Sequence, residues 1–199
     1  MRNPIRSKNL NRRLLPIAVV ALLALYGAEP LRAGHWTSGL GVGWIVVGLA
    51  LRSWGAGHLI KRERLTVSGP YAHHRHPLYA GTLLIAVGFA SLLGGTTAWS
   101  LACLSAAWFF LVYFPRKERR ESALLESEFG GAYVVYRASV PALLPRRTPW
   151  KPSHAFAKAV PLSSAWSFER WGDNNEHGTL LGVTAGGLLV AAMALRNLA

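Results

Sequence analysis

Residues 61–81 read KRERLTVSGPYAHHRHPLYAG. Gly69-Pro70 is a turn signal. Pro77 suits the first position of a helix, where its missing N–H leaves nothing unpaired that was paired before. Tyr71, His73, His74, Arg75, His76 and Tyr79 are therefore expected to crowd around a helix N-terminus. Open backbone N–H groups and the positive end of the helix dipole suit an anionic ligand group there. Three histidines in four residues also raise a metal site. Zinc, however, needs a tetrahedron usually completed by Cys or carboxylate groups from elsewhere, and Arg75 puts a positive charge among the ligands. No metal is expected. A basic cluster meeting lipid phosphates is the simpler reading of the same composition.

Residues 116–145, RKERRESALLESEFGGAYVVYRASVPALLP, form the second chemical segment. Glu118 and Glu121 share a helical face, with Leu125 and Phe129 following at intervals of four. Beyond a Gly130-Gly131 break, Tyr133, Tyr136 and Arg137 continue the spacing. One face offers carboxylate, apolar and aromatic groups in turn. The alternative is a solvated amphipathic helix on a membrane surface, against which stands the amount of Glu beside so basic a surface. Arg52 is the third feature, a charge inside an apolar run. It marks a functional site by default, or it snorkels toward the headgroups.

These residues need elements to hold them. The chain has 199 residues, a formal charge of +13, 51% hydrophobic and only 16% charged residues. That composition excludes a disordered chain, and the positive mean hydropathy of +0.24 argues against a polar nucleic-acid binder. The lone Cys103 excludes a disulfide framework. Residues 78–95, 97–114 and 178–195 are each 18 residues without a charge, close to the roughly 20 that span a bilayer. Residues 40–60 are long enough but contain Arg52 and His58, and residues 14–28 are shorter. The expected fold is all-α: a polytopic membrane bundle of about five transmembrane helices with a cytoplasmic cofactor-binding lobe. Lys and Arg divide 19 to 2 between the two sides, with Arg52 inside. The positive-inside rule then puts the N-terminus in the cytoplasm and the C-terminus outside. Gly39/Gly43 and Gly182/Gly186 have the spacing of close helix contacts.

Gly69-Pro70-Tyr71, Arg75-His76-Pro77-x-Tyr79-x-Gly81 and Gly88, followed by Glu121, Phe129-Gly130, Tyr133, Tyr136, Val140-Pro141 and Pro145, resemble the two motifs of the isoprenylcysteine carboxyl methyltransferase family. Arg52-x-Trp54-x-Ala56-Gly57-His58 and Lys61 are similar to its bacterial members. The resemblance implies an integral membrane methyltransferase using S-adenosylmethionine, in the inner membrane of a bacterium, acting on a small lipophilic substrate or lipid, with no nucleic acid and no metal. It implies cofactor contacts from Tyr71, Arg75, His76, Pro77, Tyr79, Gly81, Glu121, Tyr133 and Tyr136, and catalytic roles for Glu121 and Arg137, the latter holding an acceptor carboxylate. A thiol acceptor stays open beside the carboxylate. The sequence has Glu121-Ser122 where many members carry two acids, and Ser139 where many carry a basic residue. The organisation expected is a basic segment and first span (1–39), a methyltransferase core (40–146), an amphipathic cytoplasmic linker (147–177) and a final span (178–199), the resemblance covering roughly residues 45 to 146. An NADPH-dependent reductase of the same architecture and a non-enzymatic membrane interaction protein are the other two classes.

Overall fold

The computed structural model describes residues 36–60, 63–159, 161–163 and 165–196. The span expected at 14–28 and Lys61 lie outside them. The chain is mostly helical. Helix α1 is Trp36–His58. After it come strand β1, Leu65–Thr66, and a 3-10 turn, Gly69–Ala72. Helix α2 is Pro77–Leu93, with His76 as N-cap and Pro in the first turn as its residue type favours. Helix α3, Gly95–Trp108, runs through a π-helical stretch, Phe109–Tyr113, into α4, Phe114–Phe129. Gly130, at φ +54°, makes the expected break before α5, Gly131–Ser139. Then come α6, His154–Ala159, β2, Leu162–Ser163, α7, Phe168–Asp173, and α8, Glu176–Arg196. Among the described residues the departure from an all-helical chain is the parallel pair of β1 with β2, two residues each.

Among the described residues, two helices, Ser38–His58 and Glu176–Arg196, are long and apolar enough to cross a membrane by length and composition, while Pro77–Leu93 is apolar but shorter. Their outer faces carry Leu40, Val42, Trp44, Val46 and Val47 on α1 and Leu181, Leu188 and Leu189 on α8, all largely exposed. Contiguous apolar faces of this size require a partner or lipid around them. Cys103 on α3 is also exposed, so it does not serve as core packing.

Glycines set the contact between α1 and α2, but not the ones whose spacing stood out. A Cβ added at Gly48 would lie 2.6 Å from the Gly81 carbonyl oxygen, and one at Gly88 2.6 Å from that of Gly41. The two helices therefore touch backbone to backbone, antiparallel, through glycines seven apart on each. Gly39, Gly43 and Gly182 face open space, and Gly186 meets the Phe89 ring. Gly48→Ala is expected to destabilise the protein by about 1–3 kcal/mol through overpacking, whereas Gly39→Ala should be neutral. Thermal unfolding in detergent checks both, and equal midpoints would contradict the glycine contact.

Residues in the segment 147–177 pack back onto the core. The Trp150 N–H donates to the Ala72 carbonyl at 2.8 Å. Phe156 joins Leu65, Val67, Tyr133, Tyr136 and Val140 in one buried cluster. Near α7, the Ser167 N–H and Arg170 Nε both reach the Gly57 carbonyl at 2.9 Å. Asn174 Nδ2 reaches the carbonyls of Ala56 at 2.9 Å and Leu59 at 3.0 Å. The carbonyls at a helix C-terminus have no intrahelical partners, and the Ser167 N–H with the Arg170 and Asn174 side chains supplies them at the end of α1.

Candidate active site

The site is built where the start of α2 meets α4. Residues 72–76 run beside 140–150 and are stitched to them. The Arg75 N–H donates to the Pro141 carbonyl at 2.9 Å, and the His76 N–H to that of Ala142 at 3.0 Å. Arg75 Nε donates to the Val140 carbonyl at 3.0 Å. Two of the N–H groups leading into α2 are thus already taken by carbonyls, so the helix start is less open to an anion than the sequence suggested. The π-helical stretch lies just ahead of Pro115, which lacks the N–H that would continue the α ladder. It delivers Phe109 and Phe114 to the same place: Phe114 meets the His76 ring edge-on at 5.3 Å, and Phe109 lies 6.3 Å from Tyr79.

Glu118 is the hub. Its Oε1 accepts from an Arg75 guanidinium nitrogen and its Oε2 pairs with His76 Nε2. Ser122 Oγ donates to Oε1 at 3.3 Å and shares a 2.8 Å hydrogen bond with the Tyr133 hydroxyl. Burial alone would raise the Glu118 pKa. The hydrogen bond and charge of His76, together with Arg75, outweigh burial and bring it down to about 2. Glu121, one turn further along the same face, is looser. Its Oε1 accepts from the Tyr79 hydroxyl at 3.1 Å and from Lys117 Nζ at 3.2 Å, and its Oε2 lies 3.7 Å from His76 Nδ1. The Glu118 side chain is 14% exposed and that of Glu121 34%, so Glu121 is the carboxylate that a ligand can reach.

The expected site residues divide accordingly. Arg75, His76, Tyr79 and Glu121 converge. Tyr71, Tyr133 and Tyr136 are buried behind them, with the Tyr136 hydroxyl donating to the Tyr71 carbonyl at 2.8 Å. Burial pushes the Tyr71 and Tyr136 phenols well up, so both stay neutral. Pro77 and Gly81 shape the backbone: Pro77 opens α2, and a Cβ at Gly81 would press on the Gly48 carbonyl. Arg137 is exposed in the last turn of α5 and is not brought into the cluster. Glu118 was missing from the expected set, although its shared face with Glu121 was readable. Among the described residues no three His, Cys, Asp or Glu side chains converge as a metal site.

Beside the cluster lies a cavity of about 780 Å³, walled by Leu51, Trp54, Leu83, Leu84 and Phe110, with His73 and His74 at one side. Ala80, also in its wall, follows His76 by one helical turn, so cavity and charged cluster adjoin across the first turn of α2. The arrangement offers a fixed set of charges at one end and an apolar space at the other.

Residues 42–126 match the model of the isoprenylcysteine carboxyl methyltransferase (ICMT) family. The protein-S-isoprenylcysteine O-methyltransferase of Schizosaccharomyces pombe is 36% identical over 93 residues, which cover 44% of this chain and 38% of that protein. The match thus spans well under half of the length of this curated relative. No solved structure matches the chain.

Proposed function

We propose that this chain, whose residues 42–126 match the isoprenylcysteine carboxyl methyltransferase family, is a member of that family and an integral membrane methyltransferase that moves a methyl group from S-adenosylmethionine to the carboxylate of a lipophilic acceptor. One observation carries this reading: a charged cluster on the family's motif residues opens beside an apolar cavity between helices whose outer faces suit lipid. The finer topology belongs to the same proposal. It comprises five spans, an N-terminus in the cytoplasm of a bacterial cell and a cytoplasmic lobe formed by α4, α5 and the segment after them.

The residues present fit the methyl donor. Glu121, partly open, accepts from an ammonium or from ribose hydroxyls. Arg75 and His76 offer donors to a carboxylate, which they would share with Glu118. When bound, the donor would supply a sulfonium methyl to the acceptor oxygen, its carbon–sulfur bond breaking to leave a methyl ester and a neutral thioether with no proton to move. The protein's part is to hold the carboxylate in line and keep water out. Phe109, Phe114 and the apolar cavity wall do the second. Arg137, at the exposed end of α5, is available to the acceptor's carboxylate.

Calorimetry on detergent-purified protein is expected to give heat with S-adenosylmethionine and with its demethylated product, and none with NADPH. Glu121→Ala should weaken that binding about tenfold or more, while Glu126→Ala, at an exposed position of α4, should not. Label transferred from the methyl donor to membrane extract should be base-labile, as an ester is. Binding of NADPH without the methyl donor would favour a reductase. Label confined to phospholipid headgroups would overturn the carboxylate acceptor.

A further inference from the structure

His73 and His74 line the cavity but have no part in the charged cluster. Both rings are held through Nδ1, His73 to the Arg146 carbonyl at 2.9 Å and His74 to the Leu143 carbonyl at 2.7 Å. A carbonyl can only accept, so Nδ1 carries the proton in each ring and Nε2 of the neutral imidazole is a bare lone pair. His74 is only 3% exposed. Among the described residues its Nε2 has no hydrogen-bond partner, yet no buried side-chain nitrogen or oxygen there is left unsatisfied. Nε2 is therefore not sealed by protein, and the opening it has is the cavity that the ring lines. Burial holds His74 below the ordinary imidazole range, and His73 and His76 push the same way against the Leu143 hydrogen bond. At neutral pH the cavity wall thus presents a hydrogen-bond acceptor and no cation at this point.

We propose that His74 is a specificity-determining residue: its Nε2 accepts a hydrogen bond from an N–H or O–H group on the methyl acceptor, so that the cavity selects lipophilic carboxylates carrying such a donor beside the apolar chain over plain fatty acids. This rests on the methyltransferase reading. A lone pair repels a carboxylate, so the reacting group is directed away from His74. The apolar chain lies along Leu83 and Leu84.

Two probes separate the group from the rest of the molecule. One is an S-alkylated N-acetylcysteine, which has an amide N–H. The other is the S-alkyl mercaptopropionate of the same chain, which keeps the carboxylate and lacks the amide. Their affinities are measured on purified protein for the native chain, His74→Asn and His74→Gln. The Asn amide can still donate to the Leu143 carbonyl but cannot reach the position of Nε2, and the Gln amide can reach it. The native protein is expected to prefer the amide probe about five- to tenfold. His74→Asn should lose that preference with little change in unfolding temperature, and His74→Gln should keep part of it. An unchanged preference in His74→Asn overturns the proposal. So does weakened binding of the demethylated donor in place of the probes, which would give the cavity to adenine. If neither probe binds while the demethylated donor does, the cavity is not an acceptor site. If nothing binds at all, the methyltransferase reading itself has failed.

Discussion

Glu118→Ala is expected to destabilise the protein by about 3 kcal/mol, the low end for removing one partner of a buried ion pair. Its carboxylate answers both Arg75 and His76, and without it an arginine that cannot lose its charge is left against Tyr133 and the Val140 carbonyl. Glu118→Gln should recover part of the loss, because its amide oxygen can still accept from Arg75. The acid limb of stability supplies an independent readout. The folded carboxyl is brought down to about 2, against about 4.3 for a free glutamate. A depressed carboxyl contributes stability that is complete above the unfolded value and lost as pH falls toward the folded one. The gap between native and Glu118→Gln protein should therefore be widest above pH 5 and close between about 4.5 and 2. A gap that is constant with pH would show that Glu118 acts by packing and not by charge. Donor affinity should fall as well, since Arg75 and His76 lose the group that orients them.

What could be read in the sequence was local chemistry. Pro77 opening a helix, the glycine break at Gly130 and the convergence of Arg75, His76, Tyr79 and Glu121 all follow from residue type and short spacing. What the sequence did not show depends on distance along the chain. Tyr133 and Tyr136 have the ring chemistry of ligand contacts, but whether a tyrosine is a contact or a core residue depends on what covers it, and here Phe156 and Val140 do. The glycines that matter in α1 are Gly41 and Gly48, because only they oppose Gly88 and Gly81. Their seven-residue spacing is in the sequence, but only the opposing glycines of α2 show that it, and not the four-residue spacing of Gly39 and Gly43, marks the contact. The docking of residues 147–177 depends on side chains such as Asn174, whose targets are carbonyls at the end of a helix more than a hundred residues earlier. Arg52 read as either a functional charge or a snorkelling one, because its partner lies 124 residues away.

That partner makes the second large effect. Arg52 donates to Glu176 through Nε at 3.2 Å and a terminal nitrogen at 2.5 Å. Its remaining donors reach the Leu78 carbonyl at 3.2 Å and the hydroxyls of Thr82 at 2.7 Å and Thr179 at 3.0 Å. One guanidinium thus ties α1, α2 and α8 together at the level where α8 begins. Glu176 is 1% exposed, so Glu176→Leu strands a cation among apolar helices and should destabilise the protein by about 3–5 kcal/mol. Arg52→Met should cost a comparable amount by stranding the carboxylate. The double variant Arg52→Met/Glu176→Leu removes both charges together and is expected to recover most of the stability, because replacing a buried pair by apolar groups is often neutral or better. The cycle is read by thermal unfolding in detergent, with donor affinity measured alongside. Recovered stability with native affinity would make the pair a clamp that fastens α8 to the core. A double variant as unstable as either single one would show that the hydrogen bonds to Leu78 and Thr82, on the helix that carries His76 and Tyr79, hold the fold together apart from the ion pair. Stability recovered without affinity would instead make Arg52 a positioning residue for the site, acting through the first turns of α2.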